Sequence, residues 1–211
     1  MKLKTVSWKK LQETLPSSGK QLIAQQTEDT LVVYQAFRPA IANYAVEHQA
    51  FGGNAYSYDR MSWIKPNFLW MMYRCGWAAK EGQERVLAIH LPKTFFEKVL
   101  SQAVPSSYKP GLFPEMDAWQ AALQSSDVRL QWDPDHGPND NKLERRAIQL
   151  GLRGSILKEF GLRQIVAMED ITDFVKEQHR VLQRDPMALL VPEESVYPLE
   201  DTVIRNTIDL R

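Results

Sequence analysis

The amino-acid sequence predicts a single α+β domain. Residues 30–37 form a short β-branched and aromatic apolar run, which is typical of a strand covered on both faces. Helical patterns that begin near prolines follow this run, and the later strands and helices alternate without a regular βαβ rhythm. At 211 residues the chain is long enough for one domain, or at most two.

The first half of the chain gives the clearest elements. Pro39 begins a helical pattern, which the turn at residues 52–54 closes. Residues 56–64 are predicted to be extended, and Lys65-Pro66 to start a helix over 67–77 with proline at its first position. This second helix is apolar nearly all round, so we expect it to be buried.

The remaining elements follow from shorter patterns. We expect strands at 84–91, 128–132, 145–152 and 164–171. We expect helices at 92–102, 116–124, 155–160 and 172–183, and loops at 104–115 and 133–140.

Composition excludes several classes of protein. Hydrophobic residues make up 44% and charged residues 25% of the chain, an ordinary globular balance. Cys75 is the only cysteine, so no intramolecular disulfide framework can form and a reducing compartment is expected. The first eight residues lack the apolar segment of a signal peptide, and no run approaches the ~18 apolar residues of a membrane helix. We therefore expect a cytoplasmic protein.

Charge is balanced overall, with 26 basic and 26 acidic residues, but it is unevenly distributed. Residues 1–20 and 142–163 each carry a net charge of +4, whereas residues 169–211 carry −5. These segments are either solvated faces or, for the basic ones, a strip that receives phosphates.

This distribution suggests three parts. We expect a basic N-terminal extension over 1–19, one α+β domain over 20–184, and an extended acidic tail over 185–211 that packs on the domain. Three prolines favour extended backbone in the tail, namely Pro186, Pro192 and Pro198.

Familiar catalytic and metal-binding motifs are missing from the sequence. It contains no phosphate-binding P-loop, no dinucleotide-binding glycine pattern, no serine nucleophile elbow and no paired-histidine zinc motif. Asp133, Asp135 and Glu144 match positions 1, 3 and 12 of a calcium loop, but Pro138 stands where that loop requires glycine. A polar turn is the better interpretation, and we predict no metal site.

Three cations stand in the aromatic segment around the second helix: Arg60, Lys65 and Arg74. A cation on a buried helix is costly unless it is paired or bound to an anion. We predict that the three converge on one phosphate or carboxylate, beside aromatic faces such as Trp63 that could stack a base or a nicotinamide. The alternative is that Arg74 is a structural cation with a partner in the fold.

Gln149 is the candidate polar residue of the strand at 145–152. Alternation places it between Ala147 and Gly151 on one face, and two small neighbours leave room for a ligand. The alternative is a solvated or core amide. Gln35, in the first apolar strand, raises the same question, and we predict that both line one cleft.

Several of these segments resemble the domain-of-unknown-function family numbered 4291. The resemblance covers roughly residues 20–180; it includes Asp59 to Arg74 and is most specific over Arg60 to Arg74. The other matching segments are residues 33–37, 84–89, 131–134 and 148–152. The family name implies no activity.

The order of elements is also similar, more distantly, to the ADP-ribosyltransferase fold. That resemblance implies a split antiparallel or mixed sheet with helices, NAD as cofactor in the cleft between the sheets, and transfer to a nucleic acid or nucleotide. Tyr34 or Gln35 would hold the nicotinamide-side ribose, Ser62 to Lys65 would form the middle element, and Gln149 would stand where the family has a catalytic Glu. An amide can hydrogen-bond a hydroxyl but cannot stabilise a cation by charge. The alternative is therefore a non-catalytic domain that binds a nucleotide or nucleic acid in a basic, aromatic cleft.

The buried second helix gives a first testable prediction. Trp70→Ala should lower the free energy of unfolding by ~3–5 kcal/mol, because it leaves a cavity in the core. Chemical denaturation measures this loss, and a variant that unfolds within a few tenths of a kcal/mol of wild type would place the helix at the periphery.

Overall fold

The computed structural model describes residues 3–210, so Met1, Lys2 and Arg211 of the predicted terminal segments lie outside the described residues. Twelve strands run within this range: β1 (Thr5–Ser7), β2 (Gly19–Lys20), β3 (Ile23–Ala24), β4 (Thr30–Phe37), β5 (Ser62–Ile64), β6 (Arg85–Pro92), β7 (Ala103–Pro105), β8 (Val128–His136), β9 (Lys142–Leu152), β10 (Ala167–Asp170), β11 (Leu190–Pro192) and β12 (Ser195–Val196). The same range contains eight α-helices: α1 (Trp8–Thr14), α2 (Pro39–His48), α3 (Phe68–Cys75), α4 (Lys93–Ser101), α5 (Met116–Ser125), α6 (Gly154–Arg163), α7 (Thr172–Arg184) and α8 (Thr202–Thr207). The predicted single α+β domain is confirmed. None of these helices is long and apolar enough to cross a membrane.

A three-stranded antiparallel sheet in the order β10-β6-β4 forms one half of the fold. The predicted strand at 30–37 is confirmed as β4. Its alternate residues enter two different hydrophobic cores, with Leu31 and Val33 in one and Val32 and Tyr34 in the other. This strand is therefore covered on both faces, as the continuous apolar run predicts.

A five-stranded mixed sheet forms the other half, with β9 as its longest strand. β8 pairs with β9 antiparallel, β5 pairs antiparallel with the end of β9, and β2 pairs parallel with its beginning. β7 extends the sheet on the far side of β8. The register sets Gln131 opposite Gln149 and Trp63 opposite Gly151.

One bridge joins the two sheets. The Tyr34 N–H donates to the Lys65 carbonyl at 2.7 Å, and the Lys65 N–H donates to the Tyr34 carbonyl at 3.2 Å. Beyond this bridge β4 runs on to Phe37 while β5 runs back to Ser62, so the two strands diverge.

The second helix differs from its prediction at both its start and its surface. Lys65 is held in extended backbone by the bridge, so Pro66 precedes the helix, Asn67 is the capping residue and α3 begins at Phe68. The helix is buried over most of its surface, and Trp70 is 5% exposed. Arg74, however, is exposed, so it is not the buried cation that we predicted.

Two predicted segments were wrong in part. Of residues 56–64, which we predicted to be extended, only 62–64 form a strand. The predicted loop at 133–140 is shorter than expected, because β8 continues to His136 and pairs with β9. A register shift between Pro134 and His136 accommodates the proline, which has no N–H for the ladder.

The acidic tail is not wholly extended. It contains a 3₁₀-helix (Pro186–Ala188) and α8, while β11 pairs with β1 of the N-terminal segment and β12 pairs with β3. Between these strands Glu194 is buried, and its Oε1 accepts the N–H of Phe68 at 2.7 Å, at the start of α3. Burial raises the pKa of Glu194 to about 8, and Asp135 adds to this effect while Arg145 opposes it.

Glu194 predicts a specific pH dependence of stability. Because its folded pKa of about 8 exceeds its ordinary value of 4.5, the folded state holds a proton that the unfolded state has lost between these pH values. Stability therefore falls as pH rises through this window, by up to about 1.4 kcal/mol per pH unit. Glu194→Gln keeps an acceptor for Phe68 and removes the titration, so its stability relative to wild type should increase from pH 5 to pH 8. Denaturation across this range measures the difference, and a constant difference would contradict the prediction.

Candidate functional site

The residues that the sequence singled out lie on two opposite faces of the joined sheets. Tyr34 and Lys65 are bridge partners and share a face, so Gln35, one residue further along β4, points the other way. Ser62 shares the face of Gln35, whose Nε2 donates to the Ser62 Oγ at 2.8 Å and to the Trp63 carbonyl at 3.1 Å. Gln149 lies on the face of Lys65. Ile64 and Leu150, which are paired and adjacent in sequence to Lys65 and Gln149, both turn into the hydrophobic core, so their neighbours turn to the opposite face.

Gln35 and Gln149 therefore point to opposite faces of the joined sheets. The structure therefore does not place them in one cleft, contrary to our prediction. Alternation along β4 and β5 is the physical reason, because a single bridge fixes which residues share a face.

A cavity of about 400 Å³ opens where β4 and β5 diverge. Its lining combines the end of β4, the start of α2 and the segment before β5: Phe37, Arg38, Ile41, Ala55, Tyr56, Ser57, Arg60, Met61, Ser62 and Gly82. This lining contains two arginines and no carboxylate, so it favours an anion. We call this cavity the split-sheet cleft.

The two arginines of the split-sheet cleft differ in their contacts. One guanidinium nitrogen of Arg38 donates to the Ala55 carbonyl at 3.2 Å. Arg60 is exposed and forms no hydrogen bond or ion pair with any residue of the described range 3–210. Its five donors are therefore available to a ligand.

Gln35 is not one of the residues that line the cleft, but its Nε2 donates to the lining residue Ser62. The residue is 3% exposed, and its Oε1 is buried without a hydrogen-bond partner among the described residues. A buried carboxamide oxygen with no donor is costly, so a donor supplied by a ligand would be stabilising. Nearby, burial raises the pKa of Tyr56 and the Ser62 hydroxyl partly offsets this, so the phenol stays protonated.

The opposite face carries a polar cluster around Lys65. Gln149 Nε2 donates to Gln131 Oε1 at 2.7 Å and to Asp133 Oδ2 at 2.6 Å. Lys65 is 6% exposed. Burial and, to a smaller extent, Arg74 lower its pKa to about 8, against the opposing effects of Asp133 and Cys75. We call Lys65, Arg74, Asp133, Gln131 and Gln149 the Lys65 cluster.

The predicted ligand space beside Gln149 is filled. A Cβ placed on Gly151 would lie 2.6 Å from the Met61 Sδ and 3.0 Å from the Trp63 ring. Gly151 thus allows these two side chains to pack on the sheet, and Trp63 covers the strand instead of facing an open cleft.

The structure brings the predicted site residues together only in part. Arg60 and Ser62 line the split-sheet cleft, and Ser62 accepts from Gln35. On the other face, Arg74 and Asp133 act on Lys65, and Asp133 accepts from Gln149. The predicted convergence of three cations is therefore reduced to Lys65 and Arg74. Tyr34 is fully buried in a core, with its ring 5.5 Å from that of Phe68 in an edge-to-face contact.

Sequence reasoning missed three residues of these sites. Arg38 and Tyr56 line the split-sheet cleft, and Asp133 holds the Gln149 amide. Arg38 had a signal, because it directly precedes a proline-initiated helix that follows the first strand. Asp133 was considered only as a calcium-loop position and interpreted as part of a polar turn, because its neighbours Pro134 and Asp135 are typical of a loop.

No group of three or more His, Cys, Asp or Glu residues in positions 3–210 is arranged to hold a metal ion. Of the calcium-loop positions, Asp135 is instead bound by Arg145, with 2.6 Å between Oδ2 and Nε. Asp133 accepts from Gln149.

The fold and its cleft define the class of protein as a single α+β domain with two sheets joined at one bridge and a cationic cavity where they part. Residues 21–197 match the family model described as "Domain of unknown function (DUF4291)", and the chain belongs to this family. The predicted family resemblance is confirmed. No curated protein matches the chain. The more distant resemblance to ADP-ribosyltransferases gains no support from these comparisons and stays a prediction.

The buried amine predicts a gain of stability on its removal. At pH 7 the folded protein holds Lys65 in an environment that lowers its pKa from 10.5 to about 8, which costs about 3 kcal/mol. Lys65→Met keeps the length of the side chain and should raise the free energy of unfolding at pH 7 by up to that amount. The gain should shrink as pH rises from 8 to 10.5, because the unfolded wild-type chain still binds the proton that the folded chain has released.

Denaturation at pH 7, 9 and 10.5 measures this gain. Lys80→Met is the matched control, because it makes the same substitution at an exposed lysine. If the stability changes of Lys65→Met and Lys80→Met had the same pH dependence, Lys65 would not be a buried cation with a lowered pKa.

Proposed function

We propose that this protein binds a nucleotide, with NAD as the first candidate, in the split-sheet cleft. The observation that carries the proposal is a cavity with two arginines on its wall, next to the buried, unpartnered Oε1 of Gln35, whose amide nitrogen donates to the lining residue Ser62. An acceptor beside the lining and cations on it match a ligand that carries both hydrogen-bond donors and phosphate. A nucleotide has both, in its ribose hydroxyls or amino groups and in its phosphates.

The dimensions and chemistry of the cleft support this assignment. About 400 Å³ lies within the range of roughly 300–1,000 Å³ that is usual for small-molecule sites. Arg60, which has no partner in the described range, is suited to bidentate contact with a phosphate. Phe37 and Tyr56 contribute aromatic rings on which a base or a nicotinamide could stack.

Binding is better supported than transfer. The ADP-ribosyltransferase resemblance would use Gln35 and Gln149 on one NAD molecule, but these residues lie on opposite faces. Gln149 is also engaged by Gln131 and Asp133, and an amide supplies no charge for an oxocarbenium-like cation. We therefore favour the non-catalytic alternative, in which the cleft holds a free nucleotide or the terminal nucleotide of a nucleic acid.

Isothermal titration calorimetry with four ligands tests this function. NAD, ADP, adenosine and a short single-stranded oligonucleotide differ in phosphate content and size. We expect NAD and ADP to bind and adenosine to bind far more weakly, because only the first two carry phosphate for Arg60. If the oligonucleotide bound more tightly than either nucleotide, the ligand would be a nucleic acid. Equal binding of adenosine and ADP would contradict a phosphate site.

Arg60→Ala should weaken binding of ADP roughly 10- to 100-fold, because hydrogen bonds to a charged group are worth roughly 1.5–3 kcal/mol. Its melting temperature should stay unchanged, since Arg60 has no partner among residues 3–210. Arg180→Ala is the matched control, because it removes an exposed arginine on α7 that pairs with Glu177, away from the cleft. An unchanged affinity in Arg60→Ala would place the phosphate elsewhere.

A further inference from the structure

The two basic segments of the sequence, residues 1–20 and 142–163, meet at one point of the five-stranded sheet. β2 pairs parallel with the beginning of β9, and the register sets Lys20 beside Arg146. Both residues line one cavity, whose volume is about 480 Å³. Lys109 lines the same cavity from the loop that follows β7. Three cations from three separate segments therefore border one open space, which we call the β8 cavity.

The tail forms one wall of the β8 cavity and is fixed there by two contacts. Trp132 Nε1, on β8, donates to the Ile208 carbonyl at 2.7 Å. Lys20 Nζ donates to the Asp209 carbonyl at 3.0 Å and also pairs with the Asp209 carboxylate. All four residues line the cavity. Lys20 thus has a structural partner, and its charge is neutralised within the chain.

The second carboxylate of the lining, Asp133, is directed away from the cations. The register pairs Asp133 with Ala147 and Trp132 with Ile148, so Asp133 shares the face of Gln149, while Arg146 shares the face of Trp132. Asp133 Oδ2 accepts from Gln149 Nε2 at 2.6 Å on that other face. Neither carboxylate of the lining therefore neutralises Arg146 or Lys109.

Several hydrogen-bond donors of the β8 cavity are available to a ligand. Arg146 forms no ion pair with a residue of the range 3–210, and one of its guanidinium nitrogens donates to the Trp132 carbonyl at 3.1 Å. The Lys109 side chain has no hydrogen bond or ion pair in that range, and neither do the hydroxyls of Ser106 and Ser107, which also line the cavity. A guanidinium, an ammonium and hydroxyl donors around one space are the groups by which proteins bind phosphate.

We propose that the β8 cavity is a second ligand site, which binds a phosphate group through Arg146 and Lys109, with Ser106 and Ser107 as further donors. Its volume of about 480 Å³ lies in the usual range of roughly 300–1,000 Å³ for small-molecule sites, so a phosphate ester can enter as well as free phosphate. Leu112 belongs to the lining and offers apolar surface to the organic part of an ester. The proposal does not depend on the function of the split-sheet cleft, because the two cavities share no lining residue.

The indole N–H of Trp132 provides a local probe of this site, because the residue lines the cavity. In the full chain labelled with ¹⁵N-tryptophan, Trp132→Phe assigns its NMR signal among those of the six tryptophans. The protein is titrated with inorganic phosphate and with phenyl phosphate, at an ionic strength kept constant with sodium chloride. We expect a saturable shift of the Trp132 signal with both. Tighter binding of phenyl phosphate identifies a phosphate ester as the ligand, and equal or tighter binding of inorganic phosphate identifies the free ion.

Two variants locate the phosphate. Arg146→Gln and Lys109→Gln should each weaken binding about 10-fold or more, because each removes a charged hydrogen-bond donor. Both residues are exposed, and Lys109→Gln removes no side-chain contact within residues 3–210, so its replacement is compatible with folding. Arg163→Gln is the matched control, because it changes an exposed arginine of α6 that does not line the cavity.

The same titration contains the results that would overturn the proposal. One is a Trp132 signal that moves no further in phosphate than in sodium chloride of equal ionic strength. The other is an unchanged affinity in both Arg146→Gln and Lys109→Gln. Arg60→Ala should leave the binding measured at Trp132 unchanged, and its loss in that variant would assign the phosphate to the split-sheet cleft instead.

Discussion

Two backbone hydrogen bonds between Tyr34 and Lys65, at 2.7 and 3.2 Å, join the three-stranded sheet to the five-stranded sheet. Because side chains alternate along a strand, the pairing of Tyr34 with Lys65 fixes the face to which each neighbouring side chain points. Tyr34 and Lys65 turn to one side, and Gln35 and Ser62 turn to the other. The bridge also fixes the point at which β4 and β5 part, so it locates the cleft as well as separating the two polar clusters. Because of the bridge, Ser62 and Lys65 point to opposite faces of the joined sheets, so their side chains have different surroundings.

The sequence predicted the elements whose signal is local and failed where partners distant in the chain decide. Residues 30–37 are apolar at successive positions, which only a strand buried on both faces requires, and β4 has those bounds. The stretch from Asp133 to His136 has loop composition, but β9 pairs with it and Arg145 neutralises Asp135, so it remains in the sheet. The start of α3 was misplaced for a similar reason: Pro66 favours a first helical position, yet the bridge holds Lys65 extended.

The candidate site was predicted less well than the fold, although part of it lay within reach. Arg60, Ser62 and Gln35 do share a region, and the alternation that links Gln35 with Ser62 follows once a bridge at residue 34 is known. The position of the bridge, however, depends on tertiary packing, and no local pattern specifies it. Gly151 was interpreted as space for a ligand, whereas Met61 and Trp63 occupy that space. A small residue in a strand indicates close approach but does not say what approaches.

Buried ionisable groups are concentrated around the connection from β5 to α3. Lys65 lies in this connection, and its pKa is lowered. Glu194 of the tail accepts a hydrogen bond from the first N–H of α3, and its pKa is raised. Proteins tolerate such costly positions where they serve a function, since apolar residues would stabilise the fold more. Glu194 has an evident structural partner in Phe68, and Lys65 has none in residues 3–210. The cost at Lys65 is therefore the one that the fold does not account for. Lys65 lies on the face opposite the split-sheet cleft, whose lining contains two arginines and no carboxylate.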